Sequence, residues 1–123
     1  MIVAGLALSD APAAGAAPQY IDHTQWSTWS GKPSLRVFPT AVGRRTARPS
    51  AVSQGEVAWA QVLADAPDAD TPGMRAQFLC HWYFAEMAGP GKSSWNLEPW
   101  RPVVDDAAMV QSGCNPGGAE ERF

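Results

Sequence analysis

No long stretch of this chain escapes proline or glycine, of which eleven each are spread over 123 residues. Proline cannot donate to a helix or sheet ladder and glycine weakens a helix, so the regular elements must be short and the connections long but rigid. The length fits one domain of ordinary size and leaves no room for two. An apolar fraction of 46% suffices for a packed core and argues against wholesale disorder. No run approaches the roughly eighteen consecutive apolar residues of a membrane-spanning helix. The net charge of −3 lacks the basic balance of a dedicated nucleic-acid binder. Arginine outnumbers lysine seven to two, a bias of GC-rich genomes that says nothing about function.

Residues 20–30, YIDHTQWSTWS, alternate with a period near two. Strict alternation puts Ile21, His23 and Gln25 on one face and Tyr20, Asp22, Thr24, Trp26 and Thr28 on the other. Gly31-Lys32-Pro33-Ser34 reads as a turn and residues 34–40 as a second strand, together an antiparallel hairpin. Residues 41–53, AVGRRTARPSAVS, are basic and rich in breakers and read as a loop. A helix then begins with Ser53 as N-cap and Glu56 closing a capping box, places Trp59, Val62 and Leu63 on one face, and ends at Pro67. A second helix starts with Thr71 as N-cap and Pro72 in its first turn. It runs to Gly89, with Met74, Phe78, His81, Trp82 and Ala85 on one face. Residues 92–104, with two tryptophans and two prolines, read as an ordered extended segment over the core. Residues 104–114 form a short last helix with Asp105 and Asp106 in its first turn.

The N-terminal residues 1–19 combine an apolar run, Ile2 to Leu8, with the small-x-small pattern Ala14-Gly15-Ala16. This is the tail of a secretory signal without its basic leading region, or else a disordered arm. The globular domain is expected over 20–118 and a flexible tail over 119–123. The two cysteines, Cys80 and Cys114, are the even number that one disulfide needs; two separate buried thiols are the alternative. If joined, they close a loop worth about 4 kcal/mol. A metal site is not expected, since there is no C-x-x-C and the histidines are only His23 and His81.

Charge is unevenly placed. Residues 23–55 hold five bases and no acid, whereas residues 56–123 hold ten acids and four bases. Arg44, Arg45 and Arg48 on a loop suit an anionic ligand; alternatively, the two halves pair across the fold. Six tryptophans stand out. Trp59 and Trp82 belong to helices and read as core. Trp95 and Trp100, flanking Glu98 in SWNLEPWRP, read as a contact patch with Arg101.

Catalysis has weaker support. Asp22 adjoins His23, but neighbouring strand residues point to opposite faces, so Asp22 should not orient that ring. His81 follows Cys80 directly on a helix, an equally poor arrangement for a thiolate–imidazole pair. Glu86, Glu98, Asp105 and Asp106 supply carboxylates for an acid/base pair, in a chain very small for a glycosidase cleft. GPG and GG match no phosphate loop, and no cofactor is expected.

The segments YIDHTQWSTWS, LRVFPT, Cys80-His81-Trp82, SWNLEPWRP and Cys114-Asn115-Pro116-Gly117-Gly118 resemble a family of short secreted actinobacterial domains of unknown function, of the mycobacterial type. The resemblance spans about residues 20–118 and implies an exported domain with a Cys80–Cys114 disulfide. It implies no activity. The expectation is an exported α+β domain: an N-terminal hairpin packed on about three helices and stapled by one disulfide. It would bind a cell-envelope component or envelope protein through Trp95, Trp100 and Arg101, with Arg44 and Arg45 as an anionic subsite. A small hydrolase using His81 or His23, and a secreted toxin or effector, are the alternatives.

Overall fold

The computed structural model describes residues 16–118. Most of the expected signal remnant, 1–15, and the expected tail, 119–123, lie outside the described residues. In chain order the elements are β1 (Ile21–Trp29), β2 (Lys32–Pro39), α1 (Ala41–Thr46), α2 (Val52–Asp65), a 3-10 turn (Pro67–Ala69), α3 (Met74–Ala88), β3 (Trp95–Leu97) and α4 (Asp106–Gln111). The strands form one antiparallel sheet in the order β1-β2-β3. The fold is α+β, with the expected N-terminal hairpin and a Cys80–Cys114 disulfide tying α3 to the segment after α4.

The hairpin turns earlier than its sequence suggests. Ser30 and Gly31 both have positive φ, 53° and 76°, and Trp29 pairs with Lys32. A two-residue loop with both residues left-handed follows the strand twist, so the turn is Ser30-Gly31, and Lys32 and Pro33 already belong to β2. Strict alternation along β1 also fails. Ile21 pairs with Pro39 but His23 with Phe38, which leaves Asp22 as the extra residue of a bulge. Past it, Thr24 and Trp26 lie opposite Val37 and Leu35, both fully buried, and share their core-facing side. His23 and Gln25 face the other way.

Within the extended segment, Trp95–Leu97 is a third strand paired with Leu35–Val37. Just past its C-terminal end, a side chain takes the place of a neighbouring strand. The Gln77 carboxamide accepts from Glu98 N–H at 2.9 Å and donates to Glu98 C=O at 2.9 Å, as a neighbouring strand would.

Four α-helices are present among the described residues, against about three expected. The additional one, α1, lies in the arginine-rich stretch read as a loop. Thr40 caps it by accepting from Gly43 N–H at 2.9 Å, and Arg48 donates to the carbonyls of Thr46 and Arg45 at its C-terminal end. The start of α2 is corrected: Ala51 is its N-cap and makes no side-chain cap bond, while Glu56 pairs with Arg75 instead of closing a capping box. Likewise α3 starts after Gly73, whose φ of 88° takes the cap position; Thr71 and Pro72 form the turn before it. Asp105 caps α4, accepting from Ala108 N–H at 2.9 Å.

The core is aromatic. Phe78 on α3 lies 5.6–6.3 Å, ring to ring, from Trp59, Trp82 and Trp95, and Trp82 meets Tyr20 edge-on at 5.4 Å. Trp59 and Trp82 are core residues as expected. A smaller cluster of Cys80, Met109 and Cys114 seals the α3–α4 contact.

Candidate binding surface at the hairpin tip

Near the hairpin turn, aromatic residues remain at the surface. On the core-facing side Trp26 is 37% exposed, with its indole N–H donating to Asp68 Oδ1 at 3.2 Å. Trp26, Thr28, Pro33, Asp68 and Pro99 line an open cleft of about 440 Å³. That volume lies in the range of small-ligand sites, and the lining mixes apolar walls with a carboxylate and hydroxyls. On the opposite face Trp29 stacks nearly parallel on Trp100 at 6.1 Å. Trp100 is held by its indole N–H on Pro33 C=O at 2.9 Å, and the Lys32 ammonium sits 4.5 Å from its ring.

The sequence-derived patch is therefore divided. Trp100 is at the surface, but Trp95 is completely buried among Phe78 and Trp82 and has no face to offer a ligand. Arg101 is also interior, 3% exposed. It donates Nε–H to Glu98 Oε1 at 2.8 Å and Nη1 to the carbonyls of Pro116 and Gly118, and it stacks on Trp100. Trp95 and Arg101 are corrected from contact residues to core. The reason is β3: pairing with β2 turns Trp95, opposite Val37, into the sheet's buried face.

The basic loop is a helix, and its arginines diverge. Arg44 pairs with Glu86 at 3.2 Å and donates to Ser93 C=O at 3.3 Å, so here the charge halves do meet across the fold. Arg45 is exposed.

The histidines also part ways. His81, 1% exposed, donates Nδ1–H to Gln77 C=O at 2.8 Å, and burial lowers its pKa to about 4. It is neutral at pH 7 and has no solvent access. His23 is exposed and stacks on Phe38 at 4.2 Å, and its Nδ1 lies 2.6 Å from Asp22 Oδ2. The contact that alternation ruled out exists because the Asp22 bulge removes the alternation. Nearby, Asp65 accepts both the backbone N–H and the hydroxyl of Thr24, which hold its carboxyl below the usual carboxylate range. The carboxylates offered for an acid/base pair serve separate structures: Glu86 on Arg44, Glu98 on Arg101 and Ser34, Asp105 on the α4 cap, and Asp106 beside a groove over α3 and α4. That groove, of about 400 Å³, is lined by Leu79, Tyr83, Phe84 and Met109 and rimmed by Glu56 and Arg75.

Sequence reasoning missed Trp26 and Asp68 as a site. The available signal was a tryptophan alternating with Thr24 and Thr28 on one face of β1, a face too polar to be wholly interior.

An N-terminal antiparallel hairpin, a short third strand, four helices and one disulfide over an aromatic core define, among the described residues, a small disulfide-bonded α+β domain. Residues 21–117 match the model of a family described as protein of unknown function (DUF2599), and the chain belongs to that family. It is 59% identical over 106 residues to the uncharacterized proteins Rv0477 of Mycobacterium tuberculosis and Mb0487 of Mycobacterium bovis, covering 86% of this chain and 72% of each relative. It is 48% identical over 101 residues to the uncharacterized protein ML2452 of Mycobacterium leprae, covering 82% of each chain. No solved structure matches it. Among the described residues, no helix is long and apolar enough to cross a membrane.

Proposed function

We propose that this protein is an exported binding module that holds a component of the cell envelope at its hairpin tip. The observation that carries the reading is Trp26. It is a large aromatic left 37% exposed in a cleft while three other tryptophans are buried in the core. Tryptophan gives much contact area for little conformational entropy, so an exposed one beside a carboxylate and hydroxyls suits recognition. The Cys80–Cys114 bond supports an oxidising compartment, because structural disulfides are rare where thiols are kept reduced.

The test is sedimentation of the purified domain with isolated envelopes of its own organism. Trp26→Ala should lower the bound fraction, while Val52→Ala, an exposed apolar residue on α2, should not. Equal binding by wild type and Trp26→Ala would refute the site. Export is tested by mass spectrometry of the protein recovered from the native organism. An intact disulfide and a processed N-terminus are expected; two free thiols on an unprocessed chain would refute it.

A further inference from the structure

β1 is an edge strand whose outer side is covered over only half its length. Thr24 N–H points outward, to Asp65 Oδ2 at 2.9 Å, so the two-residue period turns the main chain of Trp26 and Thr28 outward as well. Pro33, which has no N–H, lies opposite Thr28, as fits a pair that exchanges no ladder bonds. Nearer the bulge, Gln61 Oε1 accepts from Tyr20 and Ile21 N–H at 2.8 and 3.3 Å, and its amide donates to Pro18 C=O at 2.8 Å. Side chains of α2 thus cover the first half of the edge. Among the described residues, none hydrogen-bonds to the backbone of Trp26 or Thr28.

Donors and acceptors repeating every second residue match an extended chain and little else. The cleft walled by Trp26, Pro33 and Pro99 opens on the same segment and can take an alternate side chain of such a strand. Three exposed acids sit beside this strand: Asp65 accepts from Thr24 N–H, Asp68 from the Trp26 indole, and Asp22, next to His23, lines the same hollow as Asp65. Two copies paired edge to edge would bring these acids together, which disfavours self-association and favours a basic partner.

We propose that the Trp26–Thr28 edge of β1 binds an extended, lysine- or arginine-bearing peptide segment of a partner protein by strand addition. This rests on the hairpin tip being the binding surface and names the class of ligand it takes.

The probe is the peptide acetyl-Lys-Val-Lys-Val-Lys-amide added to the full-length ¹⁵N-labelled protein. Saturable amide shifts at Trp26, Ser27 and Thr28, with slowed hydrogen exchange at Trp26 and Thr28, are expected. The peptide N-methylated at every amide, and the analogue with glutamate for lysine, should not bind. Thr28→Pro removes an outward donor without breaking a ladder bond, and should weaken binding about tenfold, the equivalent of one hydrogen bond. No shift at the edge with millimolar peptide, equal binding of the N-methylated peptide, or a dimer abolished by Thr28→Pro would each overturn the proposal. Envelope binding that needs Trp26 but is untouched by Thr28→Pro would overturn this inference and leave the wider reading intact. Envelope binding indifferent to Trp26→Ala would refute the wider reading itself.

Discussion

Glu98 and Arg101 form an ion pair, Nε to Oε1 at 2.8 Å, with side chains 0% and 1% exposed. Ser34 donates to the second carboxylate oxygen at 2.5 Å, and Arg101 reaches on to the carbonyls of Pro116 and Gly118. One pair thus joins β2, the end of β3 and the C-terminal turn. Removing one partner strands the other charge away from water. Arg101→Ala should cost about 3–5 kcal/mol in urea unfolding, and joint replacement of both residues by methionine should recover a large part. A single-variant loss under about 1 kcal/mol would contradict the closed geometry.

His81 links stability to pH. Its folded pKa is about 4, below the usual 6.5, so the unfolded chain holds more protons between those values. Stability should therefore be full above about pH 6.5, fall on the order of 3 kcal/mol as the pH drops to about 4, and level off in this contribution below that. Asp65, held low by Thr24, gives a contribution that is present at neutral pH and fades only at still lower pH. Urea midpoints between pH 7 and 4.5 test this, with His81→Leu expected to flatten the slope.

Reduction of Cys80–Cys114 frees a 34-residue separation and should lower stability by about 4 kcal/mol. Unfolding with and without reductant, together with the Cys80→Ser/Cys114→Ser double variant, should give matching losses.

Gly43 on α1 packs against the Tyr20 carbonyl, where an added Cβ would collide with backbone that has no room to give. Gly43→Ala should cost about 1–3 kcal/mol despite the better helix propensity of alanine. A stabilised variant would show that the α1–Tyr20 contact is loose.

The hairpin, the two long helices and a short last helix with aspartates at its start are legible in the sequence because period, proline and aspartate act locally; that Asp105 is the cap and only Asp106 lies in the first turn is not. What was not legible depends on partners distant in sequence. Asp22 is an ordinary strand residue until β2 supplies one residue against two. The arginine-rich stretch forms α1 with a cap, Thr40, that is local, but the helix also needs Gly43 to fit under the carbonyl of Tyr20, on the far side of the hairpin in sequence. Trp95 and Trp100 stand five positions apart in one motif, yet only the pairing of β3 with β2 decides that the first is interior and the second is not. The same holds for Trp26, whose indole N–H is bound by Asp68 in the 3-10 turn, far along the chain, and stays at the surface.

The most direct test of the central claim is a two-dimensional ¹H–¹⁵N spectrum of the six tryptophan indoles, recorded while solubilised envelope material is added. The account predicts that the Trp26 indole moves or broadens first, with Trp29 and Trp100 following as its neighbours at the tip. Trp82 and Trp95, fully buried, should stay in place. Envelope-induced shifts confined to the groove around Tyr83 and Phe84, with all six indoles unmoved, would place binding elsewhere and contradict it.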